Sequence, residues 1–240
     1  MPAREWIMST AEPRPQRLVV LLSGRGSHFE NLHQCVHLNA AIDAEIVGVL
    51  SDRAEAPGLA KAKHLGVASA SVARGDHPSR EHFERALIER INHWRPDWVI
   101  LAGFMRVLSP TALVPFQGRM LNIHPSLLPK YKGLHTHQKA LDAGDAEHGA
   151  SVHFVTPELD GGPILSQVSM PINDNDDDAN SLAQRLLPLE HHLMQATVAL
   201  LAHYDVVYHH DSIAIDGHRL AKPLVLDRDF DIHGRWHRPG

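Results

Sequence analysis

Short runs of branched apolar residues, each followed by a turn and a helical pattern, constrain this chain more than any other feature. Arg17-Leu18-Val19-Val20-Leu21-Leu22 is the first run and Glu45-Ile46-Val47-Gly48-Val49-Leu50-Ser51 the second. Val67–Val72 is a weaker third, and Trp98-Val99-Ile100-Leu101-Ala102-Gly103 and Met120–His124 follow. Runs this short, apolar at successive positions, read as strands covered on both faces, the habit of parallel sheets. The segments between them have helical spacing. Phe29, Leu32, Cys35 and Val36 share one face; Pro57 opens and Gly66 stops a second helix; Phe83, Leu87, Ile88 and Ile91 form the stripe of a third, with Ser79 as its N-cap. The alternation predicts right-handed βαβ crossovers and an α/β fold, a mostly parallel central sheet with helices on both faces.

After Met120–His124 the pattern changes. Ser151–Thr156 and Ile164–Ile172 read as two strands, the second antiparallel to the first. Ser181–Tyr204 is the longest helix, in which Pro188 predicts a kink or a break. Val206–Tyr208 and Ser212–Ile215 form a small hairpin pattern with Asp216-Gly217 as a turn. Residues 1–16 read as a flexible extension, 17–220 as one body and 221–240 as a loose tail.

The chemistry collects where strands end. Side chains two apart on a strand share a face, so Asn122 and His124 point the same way, and Pro125 closes the strand behind them. The pair is either a core histidine beside a turn-forming Asn, or a set of donors for an oxyanion with a group that moves protons. Ser23-Gly24-Arg25-Gly26-Ser27 joins the first strand to a helix N-terminus. It lacks the third glycine of a dinucleotide fingerprint and the Lys-Ser/Thr of a P-loop, so it is a site for one phosphate or a plain tight turn. Met105, Val107 and Leu108 are either core beneath a loop or an apolar slot for a flat heterocycle. Asp160, in an Asp-Gly-Gly-Pro turn, is either an ordinary Asx turn or the carboxylate that sets the protonation of His124.

Composition narrows the function classes. With 240 residues the chain can bury a sizeable core. A formal net charge of −5 argues against a dedicated nucleic-acid binder. Cys35 is the only cysteine, which excludes disulfides and thiolate clusters and fits the cytoplasm. No run approaches the roughly 18 apolar residues of a membrane span. The 20 histidines are scattered and read as surface bias. His135-Thr-His137 has metal-like spacing but no carboxylate to match, so no metal is expected.

Taken together, Ser23–Ser27, Leu101–Leu108, Leu121–Tyr131, Gly133–His137, Ser151–Val155 and Glu158–Pro163 resemble phosphoribosylglycinamide formyltransferases, the folate-dependent enzymes of de novo purine synthesis. The resemblance runs in order from about Arg17 to Tyr204 and implies a Rossmann-like formyltransferase domain. It implies transfer of formyl from 10-formyltetrahydrofolate to the amine of glycinamide ribonucleotide, by a monomer or homodimer acting on small molecules. It implies Asn122, His124 and Asp160 as the catalytic set, and Gly26, Ser27, His28 and Glu190 for the ribonucleotide. It implies Arg80, Met105, Arg106, Val107 and Leu108, with Asn122 and Asp160, for the folate. His28 stands where the family commonly has Asn, and Lys132 where it usually has Pro. A formyltetrahydrofolate hydrolase shares the catalytic set, but residues 1–16 are too few for the regulatory domain such enzymes carry.

Overall fold

The computed structural model describes residues 14–38, 42–173, 178–209 and 212–238. Expectations for residues 1–13, the acidic stretch 174–177 and His210 lie outside them. The apolar runs form the centre of an eight-stranded sheet. β1 (Gln16–Leu22), β2 (Ala44–Ser51), β3 (Ser69–Ser71), β4 (Trp98–Leu101) and β5 (Met120–His124) are parallel. β6 (Glu147–Phe154) then runs antiparallel to β5, and β7 (Ile164–Pro171) antiparallel to β6. With β11 (Leu224–Val225) parallel to β7, the order is β11-β7-β6-β5-β4-β1-β2-β3.

Both faces of the sheet are covered, as the unbroken apolar runs require. Leu18, Val20 and Leu22 pack into one core with residues of α1 (Ser27–Leu38), α2 (Pro57–His64) and α6 (Ala179–His203). Val19 and Leu21 pack into a second core with Phe83, Leu87 and Ile91 of α3 (Arg80–His93) and with α4 (Pro110–Leu113). Ser79 caps α3 by accepting from the His82 amide. α6 has a capping box between Asp178 and Ser181 and continues through Pro188 as a single helix of 25 residues. The break that Pro188 allowed does not occur, because Leu182, Leu186 and Leu193 on either side of it are fully buried. A second, three-stranded sheet of β8 (Val206–His209), β9 (Ser212–Ile215) and β10 (His218–Arg219) follows α6, with Asp216-Gly217 turning between β9 and β10. No helix among the described residues is long and apolar enough to cross a membrane.

Both expected boundaries need correction. Arg14 forms a two-pronged pair with Asp97 at 2.7 Å, and Gln16 already belongs to β1. Beyond Leu220 the chain is not loose where it is described. Leu224, Leu226 and Phe230 are buried, and Gly234 lies so close to Leu200 and Ala199 that a Cβ there would sit 2.3 Å from the Leu200 amide nitrogen. Short apolar pieces spaced by charged residues show no period, yet they cover one edge of the main sheet.

Candidate active site

A cleft of about 550 Å³ opens above β5. Period-two geometry puts Asn122 and His124 on one face of the strand, as expected. The reversal of β6 sets His153 opposite Asn122 in register. The chain beyond Phe154 therefore starts at the amino end of β5, and the loop 155–163 doubles back over the sheet to bring Asp160 into place. Gly162 makes that return possible: a Cβ there would sit 1.9 Å from the Phe154 carbonyl oxygen. Asp160 takes a left-handed backbone, with φ 47°.

Four side chains then meet. The His124 Nε2 lies 2.9 Å from the Tyr131 carbonyl oxygen, so that nitrogen carries a proton and donates it. Its Nδ1 is turned to Asp160 Oδ2 at 3.5 Å. His153 Nδ1 donates to the Phe154 carbonyl at 3.0 Å, which leaves Nε2 as the acceptor for Asn122 Nδ2 at 3.1 Å. Asp160 Oδ1 is 3.5 Å from the same Nε2, a contact that becomes attractive once the His153 ring is protonated. Asp160 Oδ2 accepts from the Gly133 amide at 2.8 Å. Burial pushes the Asp160 carboxyl up, but His153, the Gly133 amide and the charge of His124 more than reverse this and hold it below the ordinary carboxylate range. The cleft thus presents an oriented amide, an imidazole nitrogen and a carboxylate. His153 was not singled out from sequence, since its partnership with Asn122 depends on register.

The two expected substrate segments flank this set. His28 lines the cleft; Gly26 and Ser27 do not. Gly26 has φ 68°, and a Cβ there would meet the Gly58 Cα at 2.9 Å, so the glycine turn is packed hard against α2. Glu190 also lines the cleft and pairs with His28 Nε2 at 2.9 Å. On the opposite side, Met105, Arg106 and Val107 line the cleft, and Leu108 lines an adjoining recess of about 80 Å³ together with Leu101, Leu113 and Val155. Met105 and Val107 are exposed, whereas Leu108 is buried as core beneath the loop. Arg80 does not line the main cleft; it donates to the Val107 carbonyl at 2.7 Å. Lys132, in place of the usual Pro, bonds Glu158 at 2.6 Å and joins the two loops beside Asp160.

One buried carboxylate ties the two flanks together. Asp52, at the end of β2, accepts from Ser23 Oγ at 2.5 Å and from Arg106 Nε at 2.6 Å, while Ser23 Oγ accepts from the Met105 amide at 2.8 Å. Asp52→Asn removes a charge-assisted bond of about 1.5–3 kcal/mol. The expected result is a KM for the ligand on the Met105–Leu108 side raised about tenfold, with kcat and the other KM little changed. Steady-state kinetics with each substrate varied in turn checks this.

Known proteins resemble this chain in sequence and in fold. A family model described as formyl transferase matches residues 16–198. A phosphoribosylglycinamide formyltransferase of Escherichia coli (strain K12) is 43% identical over 205 residues, which are 85% of this chain and 95% of that protein. The chain belongs to the formyl transferase family. A solved phosphoribosylglycinamide formyltransferase from Coxiella burnetii superposes on this formyl transferase with a TM-score of 0.84 and 38% identity, over 88% of this chain and 99% of that one. The trifunctional purine biosynthetic protein adenosine-3 of Drosophila pseudoobscura pseudoobscura is 40% identical over 193 residues, 80% of this chain but 14% of that much longer protein.

The histidines of this formyl transferase also need a new reading. His124, His148 and His153 are buried, and His28, His137, His148 and His191 are all close enough to Glu190 to feel its charge. They come from distant parts of the chain, so only the fold collects them. Among the described residues no group of three or more His, Cys, Asp or Glu is arranged to hold a metal ion. Burial, with the charge of His137, pushes His148 down to about 4; burial, with the charge of His28, does the same for His191. Both groups are depressed in the folded state relative to an unfolded value of 6.5, so the unfolded chain binds more protons between pH 4 and 6.5. The stability they confer is complete above that window and is lost as pH falls through it. Allowing for solvent screening, the two together account for about 2–4 kcal/mol. Urea unfolding at stepped pH should show this loss, and His148→Asn should flatten it.

Proposed function

We propose that this chain transfers the formyl group of 10-formyltetrahydrofolate to the amine of 5-phosphoribosylglycinamide, giving formylglycinamide ribonucleotide and tetrahydrofolate. The observation that carries the reading is the convergence of Asn122, His124 and Asp160 on one cleft, oriented from behind by His153, Tyr131 and Gly133. Phosphoribosylglycinamide formyltransferases among its relatives support the choice of substrates.

The chemistry follows from what each group can donate or accept. The substrate amine attacks the formyl carbon, and the carbonyl electron pair moves onto oxygen. Asn122 gives one N–H to His153 and has a second for that oxyanion; His124 has Nδ1 on the cleft side, with Nε2 fixed by Tyr131. Asp160 faces the same Nδ1 across 3.5 Å, a gap that a proton crosses by way of the ring or a bridging water. The proton lost by the amine is passed to the folate nitrogen as its bond to the formyl carbon breaks. The folate ring occupies the recess beside Leu108 and Val155, and the ribonucleotide lies toward His28 and Glu190. The reading places this reaction in the cytoplasm, between two small molecules, in a monomer or homodimer.

Formyl transfer to water is the nearest rival, since the same three side chains serve it. Incubating the protein with 10-formyltetrahydrofolate, with and without the ribonucleotide amine, separates the two. Consumption of folate that requires the amine and yields formylated product is expected. Consumption at the same rate without the amine would establish the hydrolase, and no consumption in either case would mean a binding module.

A further inference from the structure

Position 28 departs from the family, with histidine where asparagine is common. His28 stands in the first turn of α1, just after the glycine turn, and Glu190 and His191 reach it from α6. The His28 and Glu190 side chains are only 13% and 11% exposed, with Nε2 and Oε2 2.9 Å apart. An ionised carboxylate only accepts, so Nε2 carries a proton and donates it. In a neutral ring that leaves Nδ1 bare. Nδ1 is buried, and no protein group among the described residues bonds to it. The His191 ring meets the His28 ring edge-on, with centroids 4.9 Å apart, and its own Nε2 is likewise buried without a protein partner.

The other charged groups around this ring are engaged elsewhere or neutral. Burial, with the charge of His28, holds His191 down at about 4, so it is uncharged near neutrality. His192 of α6 and Glu30 of α1 act on His191 with opposite signs, and Glu30 is paired with Lys61 of α2. Burial lowers His137, on the helix Thr136–Asp142. Asp52, at the end of β2, is held by Ser23 and Arg106. Across the cleft, His124 is held by Tyr131 and faces Asp160.

We infer that His28 makes capture of the ribonucleotide phosphate proton-linked. As the phosphate dianion arrives, the ring takes one proton from solvent at Nδ1, and the resulting imidazolium bridges Glu190 and the phosphate. The inference rests on the reading that the ribonucleotide lies toward His28 and Glu190, and deepens it by naming the protonation state in which the site binds. A bare Nδ1 sets a lone pair against an oxyanion, whereas a protonated one donates a charge-assisted bond. Asparagine offers an N–H at every pH; histidine offers this one only as a cation. The attacking amine must be free of its proton, so phosphate capture and amine attack favour opposite ends of the pH range.

The formylated product carries the phosphate without a basic amine, which makes it the probe. Titration calorimetry at about pH 8, in buffers of different ionisation enthalpy, counts protons taken up on binding; a phosphate monoester, with a second pKa of about 6, is already a dianion there. Uptake approaching one proton is expected, with Kd rising up to about tenfold per pH unit above that point. His28→Asn and His28→Gln should show uptake near zero and a Kd flat with pH. Glutamine can still donate to Glu190, so it separates loss of the proton from loss of that contact. The pH dependence of the ribonucleotide KM repeats the comparison for a variant that binds too weakly to titrate. Absence of uptake by the unaltered protein, or undiminished uptake in either variant, overturns the inference and leaves formyl transfer standing. Ribose 5-phosphate is titrated in parallel. Uptake with it that requires His28, in a protein that forms no formylated product, would sink the proposed reaction and not the proton-linked phosphate site. Failure of both compounds to bind overturns the two together.

Discussion

Replacing Asp160 by Asn is expected to lower kcat about 10²–10³-fold while leaving both ligands bound nearly as well as before. The argument is geometric. Asn has the same shape, so its oxygen can still accept from the Gly133 amide, which the carboxylate contacts at 2.8 Å, and the loop should hold its course. What disappears is the negative charge facing His124 Nδ1 and the proton acceptor that goes with it. Ground-state contacts survive and transition-state ones do not, which lowers kcat and kcat/KM together. Single-turnover kinetics beside equilibrium binding checks the split. Near-normal turnover in the variant would show that Asp160 is only a turn residue.

The second large effect lies far from the chemistry. Phe230→Ala should destabilise the protein by about 3–5 kcal/mol, the range for truncating a fully buried aromatic side chain. Phe230 is completely buried, packs into the same core as α6, and forms β-bridges with Leu226 and Trp236. The Trp236 amide in turn donates to the Tyr204 hydroxyl at 3.2 Å. An unchanged midpoint in urea would mean that the C-terminal segment adds nothing to the folded body.

The contrast between these residues shows how much was legible. Strands announced themselves because a buried parallel strand needs branched apolar residues at successive positions, as in Leu18–Leu22. Asn122 and His124 were legible as a pair because strand period alone puts them on one face. Asp160 was legible as a candidate from its glycine-rich turn and from the family resemblance. What could not be read was anything that depends on register or on distant packing. His153 meets Asn122 only because β6 pairs with β5 as it does. Asp52 looked like any polar residue after a strand, and nothing local marks it as the link between Ser23 and Arg106. The histidines around Glu190 come from α1, the helix Thr136–Asp142, β6 and α6, so no window of sequence holds them together. Pro188 shows the converse: a local signal for a break was overruled by burial on both sides of it.

The short β11 has one more consequence. A sheet exposes unpaired backbone groups at its outermost strands, and another chain can add to them. Here β7 would otherwise offer eight residues of such backbone, and Leu224–Val225 pair with its Ser166–Gln167 portion. At the opposite limit of the sheet β3 is three residues long, a poor template for strand addition. A version ending before Leu224 would bare the Ser166–Gln167 part of the β7 edge to strand addition by a second copy.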